Sequence, residues 1–287
     1  LYEQDESEYH PVNHKKLMQE AADYMPGGIH HTISHNPNSA PEFLFTHGKG
    51  AYVYTTDGRQ LLDTMLGHGS LLLGHCAPTV VEAVTTQAAL GNTFTHITQP
   101  SIELAKMMVE DVPCADKVRF TNSGTEAVMN ALRVARVYTG RSKFLKMEGG
   151  YHGTHDAVAV SVAPKLGMAG DASDPNALDD YEGLPSYVTD GAVVMPINDI
   201  ENCERIIRAN ADDLACVIVE PVNGRNGFVP AEPGFLEGLR TVTTELGIVL
   251  IFDEVISFRV SRGGSQEHYG VTPDMTTFGK VIGGGLP

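Results

Sequence analysis

The sequence predicts an α/β protein with a three-layer domain on a mainly parallel sheet, and two observations favour this fold class. From about residue 78 onward, short apolar runs alternate with stretches of helical spacing, which is typical of crossover units in a parallel sheet. At 287 residues with 42% hydrophobic content, the chain is long enough to bury a large core. We therefore expect one large sheet domain with a smaller module before it.

Residues 1–77 are predicted to form an N-terminal segment and a small α+β module. Residues 15–60 are rich in Pro and Gly, which indicates loops. Within them, the strand pattern at 51–54 is followed by an Asp57-Gly58 turn, and this combination predicts a hairpin.

Residues 78–287 are assigned to the large domain. Helices are predicted over residues 79–90, 102–109, 126–138, 200–209 and 235–246, and strands over residues 117–121, 143–147, 191–195, 214–219, 248–252 and 275–278. The chain stops at Pro287, just after the flexible pair Gly284-Gly285. We therefore expect the large domain to be incomplete at this end and a C-terminal domain to be missing.

One segment, residues 162–188, interrupts the alternation of strands and helices. It is rich in Gly, Pro, Asp and Ala. A loop of that length within a compact domain is either disordered or a functional lid, and the sequence leaves both alternatives open.

Composition and charge exclude several classes of function. The formal net charge is −16, with 36 acidic against 20 basic residues, which argues against a nucleic-acid or anionic-membrane surface. No apolar run approaches the roughly 20 residues that a membrane span needs. The four cysteines, which are Cys76, Cys114, Cys203 and Cys216, show neither disulfide nor metal-ligand spacing. We therefore expect a cytoplasmic protein without nucleic-acid or membrane partners.

Polar residues follow three apolar runs, at the positions where ligands bind in open parallel sheets. Glu220 follows the run at 215–219, and Asp253 ends the run that begins at residue 249. A buried carboxylate at such a position needs a partner, so Asp253 is either functional or part of a structural salt bridge.

The third run leads into Ser123, Gly124 and Thr125 at the predicted start of a helix. Free backbone N–H groups and the helix dipole favour an anion at such a place, so a phosphate site is one interpretation. The alternative is a simple N-cap, in which Ser123 or Thr125 caps the helix with help from Glu126.

Lys280 lies between an apolar run and a glycine run. In such a place its ammonium can be partly desolvated while a ligand approaches the backbone. The usual alternative is a solvated loop lysine.

Taken together, these segments resemble the class III aminotransferases of the pyridoxal-phosphate fold type I. The matching segments are TNSGTEA at 121–127, EGGYHG at 148–153, VIVEPV at 217–222, FDEV at 252–255 and YGVTPDMTTFGKVIGGG at 269–285. They occur in the order and at the spacings of the family across nearly the whole chain. Within the family, MPGG at 25–28, FRV at 258–260 and the stretch 263–285 are most similar to glutamate-1-semialdehyde 2,1-aminomutase, and β-amino-acid aminotransferases are similar too.

The resemblance implies that pyridoxal 5'-phosphate is the cofactor of the large domain. It implies three catalytic residues: Lys280 holds the cofactor as a Schiff base, Asp253 bonds the pyridine nitrogen, and Tyr151 lies against the ring. Without the resemblance, Tyr151 reads as a core aromatic residue. The implied cofactor-binding residues are Ser123, Gly124 and Thr125 at the phosphate, with Tyr151, His152, Glu220, Asn223, Asp253, Val255 and Lys280.

The resemblance also implies the partners of the protein. We expect it to transfer an amino group between an amine or amino acid and a keto or aldehyde compound, as a homodimer with its active site at the interface. Two alternatives stay open. One is the intramolecular aminomutase, and the other is a catalytically silent homologue that binds the cofactor.

Three departures from the family concern the substrate pocket. In the aminomutase, an arginine binds a substrate carboxylate. The corresponding position here lies near Ser34, within the run IHHTISH at 29–35, which contains no arginine. Gly67-His68 replaces a Ser-Trp pair, and the segment NGRN at 223–226 matches neither relative well.

His31 and His35 are four residues apart, but no third ligand is spaced to help, so we expect no metal site. We hypothesise that these histidines bind the substrate carboxylate in place of the missing arginine.

Overall fold

The computed structural model describes residues 14–29, 43–165, 167–179 and 181–286. The chain divides into two compact units, within residues 1–92 and 93–287. The domain boundary that the sequence predicts after residue 77 stays a prediction.

As far as the structure describes it, the first unit contains three α-helices and a three-stranded antiparallel sheet. Its elements are α1 (His14–Tyr24), β1 (Phe45–Lys49), β2 (Tyr52–Thr55), β3 (Gln60–Leu62), α2 (Leu66–Gly69) and α3 (Pro78–Leu90). Strands β1, β2 and β3 pair in sequence order, and the turn between β2 and β3 holds Gly58 at a φ of +83°. The predicted hairpin is thus present. The prediction of a loop-rich segment from residue 15 was wrong for α1, whose Leu, Met, Gln, Glu and Ala are good helix formers.

The second unit is an α/β domain. Its elements are α4 (Gln99–Asp111), α5 (Gly124–Thr139), β4 (Lys143–Met147), β5 (Gly170–Asp171), β6 (Asp174–Pro175), α6 (Tyr187–Asp190), β7 (Ala192–Met195), α7 (Ile200–Ala209), β8 (Leu214–Val219), β9 (Val222–Asn223), β10 (Val229–Pro230), α8 (Phe235–Leu246), β11 (Val249–Asp253), α9 (Gly264–Tyr269) and β12 (Met275–Thr277). Five strands form the central sheet in the order β12-β11-β8-β4-β7, and every pair is parallel. This confirms the predicted fold class.

The central sheet is covered on both faces, which makes the domain three-layered. All six residues of β8 are completely buried, and successive side chains of a strand point to opposite faces. Val217 belongs to a hydrophobic cluster that includes Ile206 of α7 and Leu236 of α8. Ile218 belongs to a second cluster that includes Leu132 of α5. Fully apolar strands of this kind are typical of parallel sheets buried on both sides.

One predicted strand of the second unit is absent. Residues 117–121 are not a strand, because they form no ladder and run straight to the start of α5. Residues 162–188, as far as they are described, contain the β5–β6 hairpin and the first two residues of α6, and the lid role of this segment stays a prediction. Ser161 ties this segment down, since its Oγ donates to the Asn176 carbonyl at 2.9 Å and accepts from the Leu178 N–H at 3.0 Å.

Within the described ranges, no helix is long and apolar enough to cross a membrane. No group of three or more His, Cys, Asp or Glu side chains in this part of the chain could hold a metal ion.

Candidate functional site

The carboxyl ends of β4, β8 and β11 lie side by side because the three strands are neighbours and parallel. The residues that follow them therefore emerge at one edge of the sheet. Glu220 follows β8 directly and Asp253 ends β11, and their side chains are 5% and 3% exposed. Both carboxylates are thus taken out of water at the same edge.

Asp253 is held by two hydrogen bonds. Its Oδ2 lies 2.8 Å from Nδ1 of His152, which is itself buried. Its Oδ1 accepts a bond from the Val255 N–H at 3.2 Å. Asp253 is therefore bonded to a histidine and a backbone amide. It does not form the salt bridge with a structural Arg or Lys that was the alternative prediction.

Glu220 joins the end of β8 to the segment that follows β4. Its Oε2 accepts from the backbone N–H of Tyr151 at 2.9 Å, and its Oε1 accepts from the N–H of Gly224 at 3.3 Å. Burial raises the pKa of Glu220, the nearby His152 opposes this rise, and the charge of Asp253 adds to it. The carboxyl group thus orients the backbone of Tyr151 at the edge of the sheet.

Lys280 begins a short 3-10 helix, Lys280–Gly283, just after β12. Its φ is +50°, a left-handed conformation that is uncommon for a residue with a side chain. Burial lowers the pKa of its amine, while the charges of Asp253 and Glu220 act to raise it and that of Arg259 to lower it further. The half-buried amine therefore lies within electrostatic reach of both buried carboxylates.

The start of α5 packs against the segments that carry Asp253 and Lys280. A Cβ added to Gly124 would lie 2.9 Å from Val255 Cγ2, so only glycine fits there without displacement. A Cβ added to Gly279 would lie 3.3 Å from Val255 Cγ1 and 3.6 Å from the Gly124 Cα. Val255 is thus the point at which the three segments meet.

Ser123 is the N-cap of α5, since its Oγ accepts from the Glu126 N–H at 3.2 Å. Thr125 lies in the first turn, and its Oγ1 accepts from the Thr154 N–H at 3.3 Å. The capping alternative is therefore present in the structure. One side-chain cap satisfies only one of the four N–H groups at the start of the helix, so the others remain as donors for an anion.

Asn223 lies at the end of β9 and is completely buried. Its Oδ1 accepts from the Asn226 N–H at 3.1 Å, but its Nδ2 has no partner among the described residues. An unsatisfied buried amide donor is costly unless a ligand or a water completes it. The side chain thus offers a donor at the edge of the sheet.

The structure brings all ten predicted site residues into the second unit, on five segments whose contacts connect them. Sequence reasoning missed the role of His152 as partner of Asp253, because the two lie 101 positions apart. It also missed Arg225, whose guanidinium carbon lies 6.0 Å from the centroid of the Tyr151 ring. His30, His31, Ser34 and His35 lie outside the described residues. His68 belongs to the first unit.

Chemically, the second unit offers a helix start for an anion, a half-buried amine and a buried carboxylate backed by a histidine. An amine with a lowered pKa is a better nucleophile at neutral pH than a solvated lysine. This set suits a ligand with an anionic tail and an electrophilic carbon.

Comparison with known proteins agrees with this chemistry. The family model described as aminotransferase class-III matches residues 33–287. A glutamate-1-semialdehyde 2,1-aminomutase of Methanosphaera stadtmanae is 44% identical over 275 residues, which cover 95% of this chain and 62% of that protein.

Among solved structures, an ω-transaminase from Sphaerobacter thermophilus is 44% identical with a TM-score of 0.91, covering 96% of this chain and 62% of that chain. A transaminase with PLP bound is 37% identical with a TM-score of 0.86, covering 95% of this chain and 62% of that chain. The chain thus spans about three fifths of the length of the relatives that it matches.

Proposed function

The chain belongs to the class III aminotransferases, and on that premise we propose that it transfers an amino group from an amine or amino acid to a keto or aldehyde acceptor. Pyridoxal phosphate is the cofactor of this proposal. The observation that carries it is the convergence of Lys280, Asp253 and the start of α5 around Val255.

The residues present fit this cofactor. The glycines at 124 and 279 let the start of α5 and the segment before Lys280 pack closely against Val255, and the buried Nδ2 of Asn223 needs an acceptor. We assign Ser123, Gly124 and Thr125 to the phosphate, because a helix start favours an anion. Asn223 would donate to the phenolic oxygen of the cofactor. The side chains of Tyr151, His152, Glu220 and Val255 would line the site of the ring.

In this proposal Lys280 has two tasks. Its Nζ would hold the cofactor covalently, and its amine would also serve as the base that moves a proton at the substrate Cα. When bound, the cofactor supplies a ring that takes up the electron pair left at that carbon. Asp253 would hold a proton on the ring nitrogen, and His152 keeps this carboxylate oriented. The charge of Asp253 would thus support the ring as an electron acceptor.

The experiment that tests amino transfer is a product assay. We expect an amino donor and a keto acid to yield the aminated acceptor, detected by mass spectrometry, with no turnover beyond a single half-reaction when the acceptor is left out. Turnover of glutamate-1-semialdehyde to 5-aminolevulinate without any acceptor would favour the aminomutase instead. The 44% identity to the Methanosphaera aminomutase is the observation that keeps this second candidate open.

Borohydride reduction together with the turnover assay separates both candidates from a silent homologue. We expect reduction of the holoprotein to fix the mass of the cofactor on the peptide that carries Lys280. The variant Lys280→Ala should lose this label and several orders of magnitude of turnover. Lys15→Ala, at an exposed position of α1, is the matched control and should keep both. A labelled wild type without any turnover would identify the silent homologue.

We also propose that the protein works as a cytoplasmic homodimer with its active site at the interface. The four cysteines are all free, which suits a reducing compartment. Ser123, at the proposed phosphate site, is exposed, as expected of a position that a second subunit covers. Sedimentation equilibrium should give twice the mass of one chain. A monomer that retains full turnover would overturn the dimer, and recovery of the protein in a membrane or periplasmic fraction would overturn the location.

A further inference from the structure

The loop between β9 and β10 is fixed beside the candidate site. Strands β9 and β10 pair antiparallel, and the loop that joins them, 224–228, begins at the Gly224 N–H bonded to Glu220. In its middle, Asn226 donates from Nδ2 to the Glu148 carbonyl at 3.2 Å and from its N–H to Asn223 Oδ1 at 3.1 Å. The loop therefore has a defined position at the edge of the sheet.

Arg225 is the cation that this loop presents. Its guanidinium carbon lies 6.0 Å from the centroid of the Tyr151 ring, at the outer limit of a cation–π contact. The backbone N–H of Tyr151 is bonded to Glu220, whose charge acts on Lys280. The guanidinium thus lies beside the ring of a residue that Glu220 holds in place, and its side chain is exposed.

The charge of Arg225 has no carboxylate counterion in the part of the chain that the structure describes. Among the described residues, no carboxylate forms an ion pair with it, whereas four other arginines of the same unit each pair with Asp or Glu. These four are Arg205, Arg208, Arg240 and Arg262. An arginine held beside a functional cluster without a counterion leaves its five N–H donors available to an incoming anion.

The cluster needs such a cation if its substrate is an anion. Glu220 and Asp253 are both buried there, and like charges disfavour the approach of a further carboxylate. A guanidinium binds a carboxylate through two parallel hydrogen bonds, which fix orientation as well as position. The side chain of Arg225 therefore has the right charge, geometry and place for recognition of a substrate carboxylate.

We propose that Arg225 binds the carboxylate of the substrate, so that the preferred amines carry a carboxylate in addition to the amino group that reacts at Lys280. This inference rests on the proposed amino transfer. It makes Arg225 a specificity residue that acts on the substrate, with no role in holding the cofactor.

The test compares two amines that differ at one end only, 3-aminobutanoate and 2-aminobutane. Each is mixed with the holoprotein without an acceptor, so that the absorbance of the cofactor reports a single half-reaction. We expect Arg225→Gln to lower the second-order rate constant for 3-aminobutanoate by about tenfold to a hundredfold, and to change that for 2-aminobutane by less than about twofold. Arg225→Lys should lie between, because lysine keeps the charge but not the fork.

Two further arginines serve as controls. Arg133→Gln, at an exposed position of α5, should leave both rate constants unchanged. Arg259→Gln removes the cation whose charge acts on Lys280. If Arg259→Gln lowers the preference for 3-aminobutanoate while Arg225→Gln leaves it unchanged, the assignment to Arg225 is overturned.

Binding of butanoate, an inert carboxylate, separates this inference from the proposed function. Isothermal titration calorimetry on the holoprotein should show an affinity that falls by about tenfold or more in Arg225→Gln. Should the wild type convert neither amine, amino transfer fails, and the butanoate titration alone decides on Arg225. An affinity that is equal in the wild type and in Arg225→Gln overturns the inference, and unaltered absorbance of the cofactor in the variant shows that the site itself is intact.

Discussion

The Nδ1 atom of His152 lies 2.8 Å from Oδ2 of Asp253, and both side chains are almost completely buried. A carboxylate accepts, so Nδ1 carries the hydrogen of this bond. The other ring nitrogen, Nε2, is buried without a partner among the residues that the structure describes, and a second N–H there would be unsatisfied. The bond from Nδ1 thus fixes the orientation of the Asp253 carboxylate.

Replacement of His152 by leucine should slow amino transfer without loss of the cofactor. The variant removes a hydrogen bond to a charged group inside the protein, which contributes about 1.5–3 kcal/mol and corresponds to about tenfold to a hundredfold in rate. We expect this loss in kcat of His152→Leu, measured at saturating substrate. His152→Asn keeps a donor close to the place of Nδ1 and should recover most of the rate. Equal rates in the two variants would mean that the bond to Asp253 is irrelevant to the reaction.

Replacement of Asp253 by asparagine should separate binding of the cofactor from its reactivity. Asparagine has nearly the same shape but no charge, so a proton on the ring nitrogen loses its counterion. We expect the cofactor content of Asp253→Asn to stay close to that of the wild type, while single-turnover rates fall by about a hundredfold or more. Asp212→Asn, at an exposed position after α7, is the control. A rate like that of the wild type in Asp253→Asn would remove the carboxylate from the mechanism.

Gly124 and Val255 should behave as a coupled pair. A methyl group on Gly124 would lie 2.9 Å from Val255 Cγ2, which forces the start of α5 away from the end of β11. We expect Gly124→Ala to weaken binding of pyridoxal phosphate, measured by equilibrium dialysis, because the helix start is displaced from the phosphate. Adding Val255→Ala removes the clashing methyls and should restore part of the affinity. A double variant as weak as or weaker than Gly124→Ala alone would show that the collision is not the cause.

The sequence predicted the parts of the fold that depend on local pattern. The fully buried run of β8, Leu214–Val219, and the amphipathic helices α7 and α8 were placed with their correct bounds. The strand predicted at residues 117–121 is absent, because an apolar run looks the same whether or not a neighbouring strand pairs with it. Pairing is decided by the rest of the sheet, which single-sequence patterns do not contain.

The candidate site was predictable as a set of residue types after strand ends, but not as contacts. Asp253 needed a partner on physical grounds, but no local pattern selects His152, which comes from the segment after a different strand. Arg225 carried no signal as a single residue in a loop. Arg225 becomes a candidate only because the Tyr151 ring lies beside it and because it has no carboxylate partner among the described residues.

The amine of Lys280 should react at lower pH than an ordinary lysine. Burial lowers its pKa below the usual 10.5, although Asp253 and Glu220 oppose this shift. Only the neutral amine attacks a carbonyl carbon, so the rate at which the apoprotein captures pyridoxal phosphate should rise with pH and level off below pH 10.5. The same shift implies that the free energy of unfolding rises with pH between the folded and the unfolded pKa of Lys280, because the unfolded chain binds the extra proton there.

Two variants should move this inflection in opposite directions. Asp253→Asn removes a negative charge that favours the ammonium, so the inflection shifts to lower pH. Arg259→Gln removes a positive charge that disfavours it, so the inflection shifts to higher pH. Stopped-flow absorbance over a pH series measures both with the same cofactor, whose own titration therefore cancels in the comparison. Shifts of the same sign in the two variants, or an inflection at the value of a free lysine, would contradict the electrostatic environment assigned to Lys280.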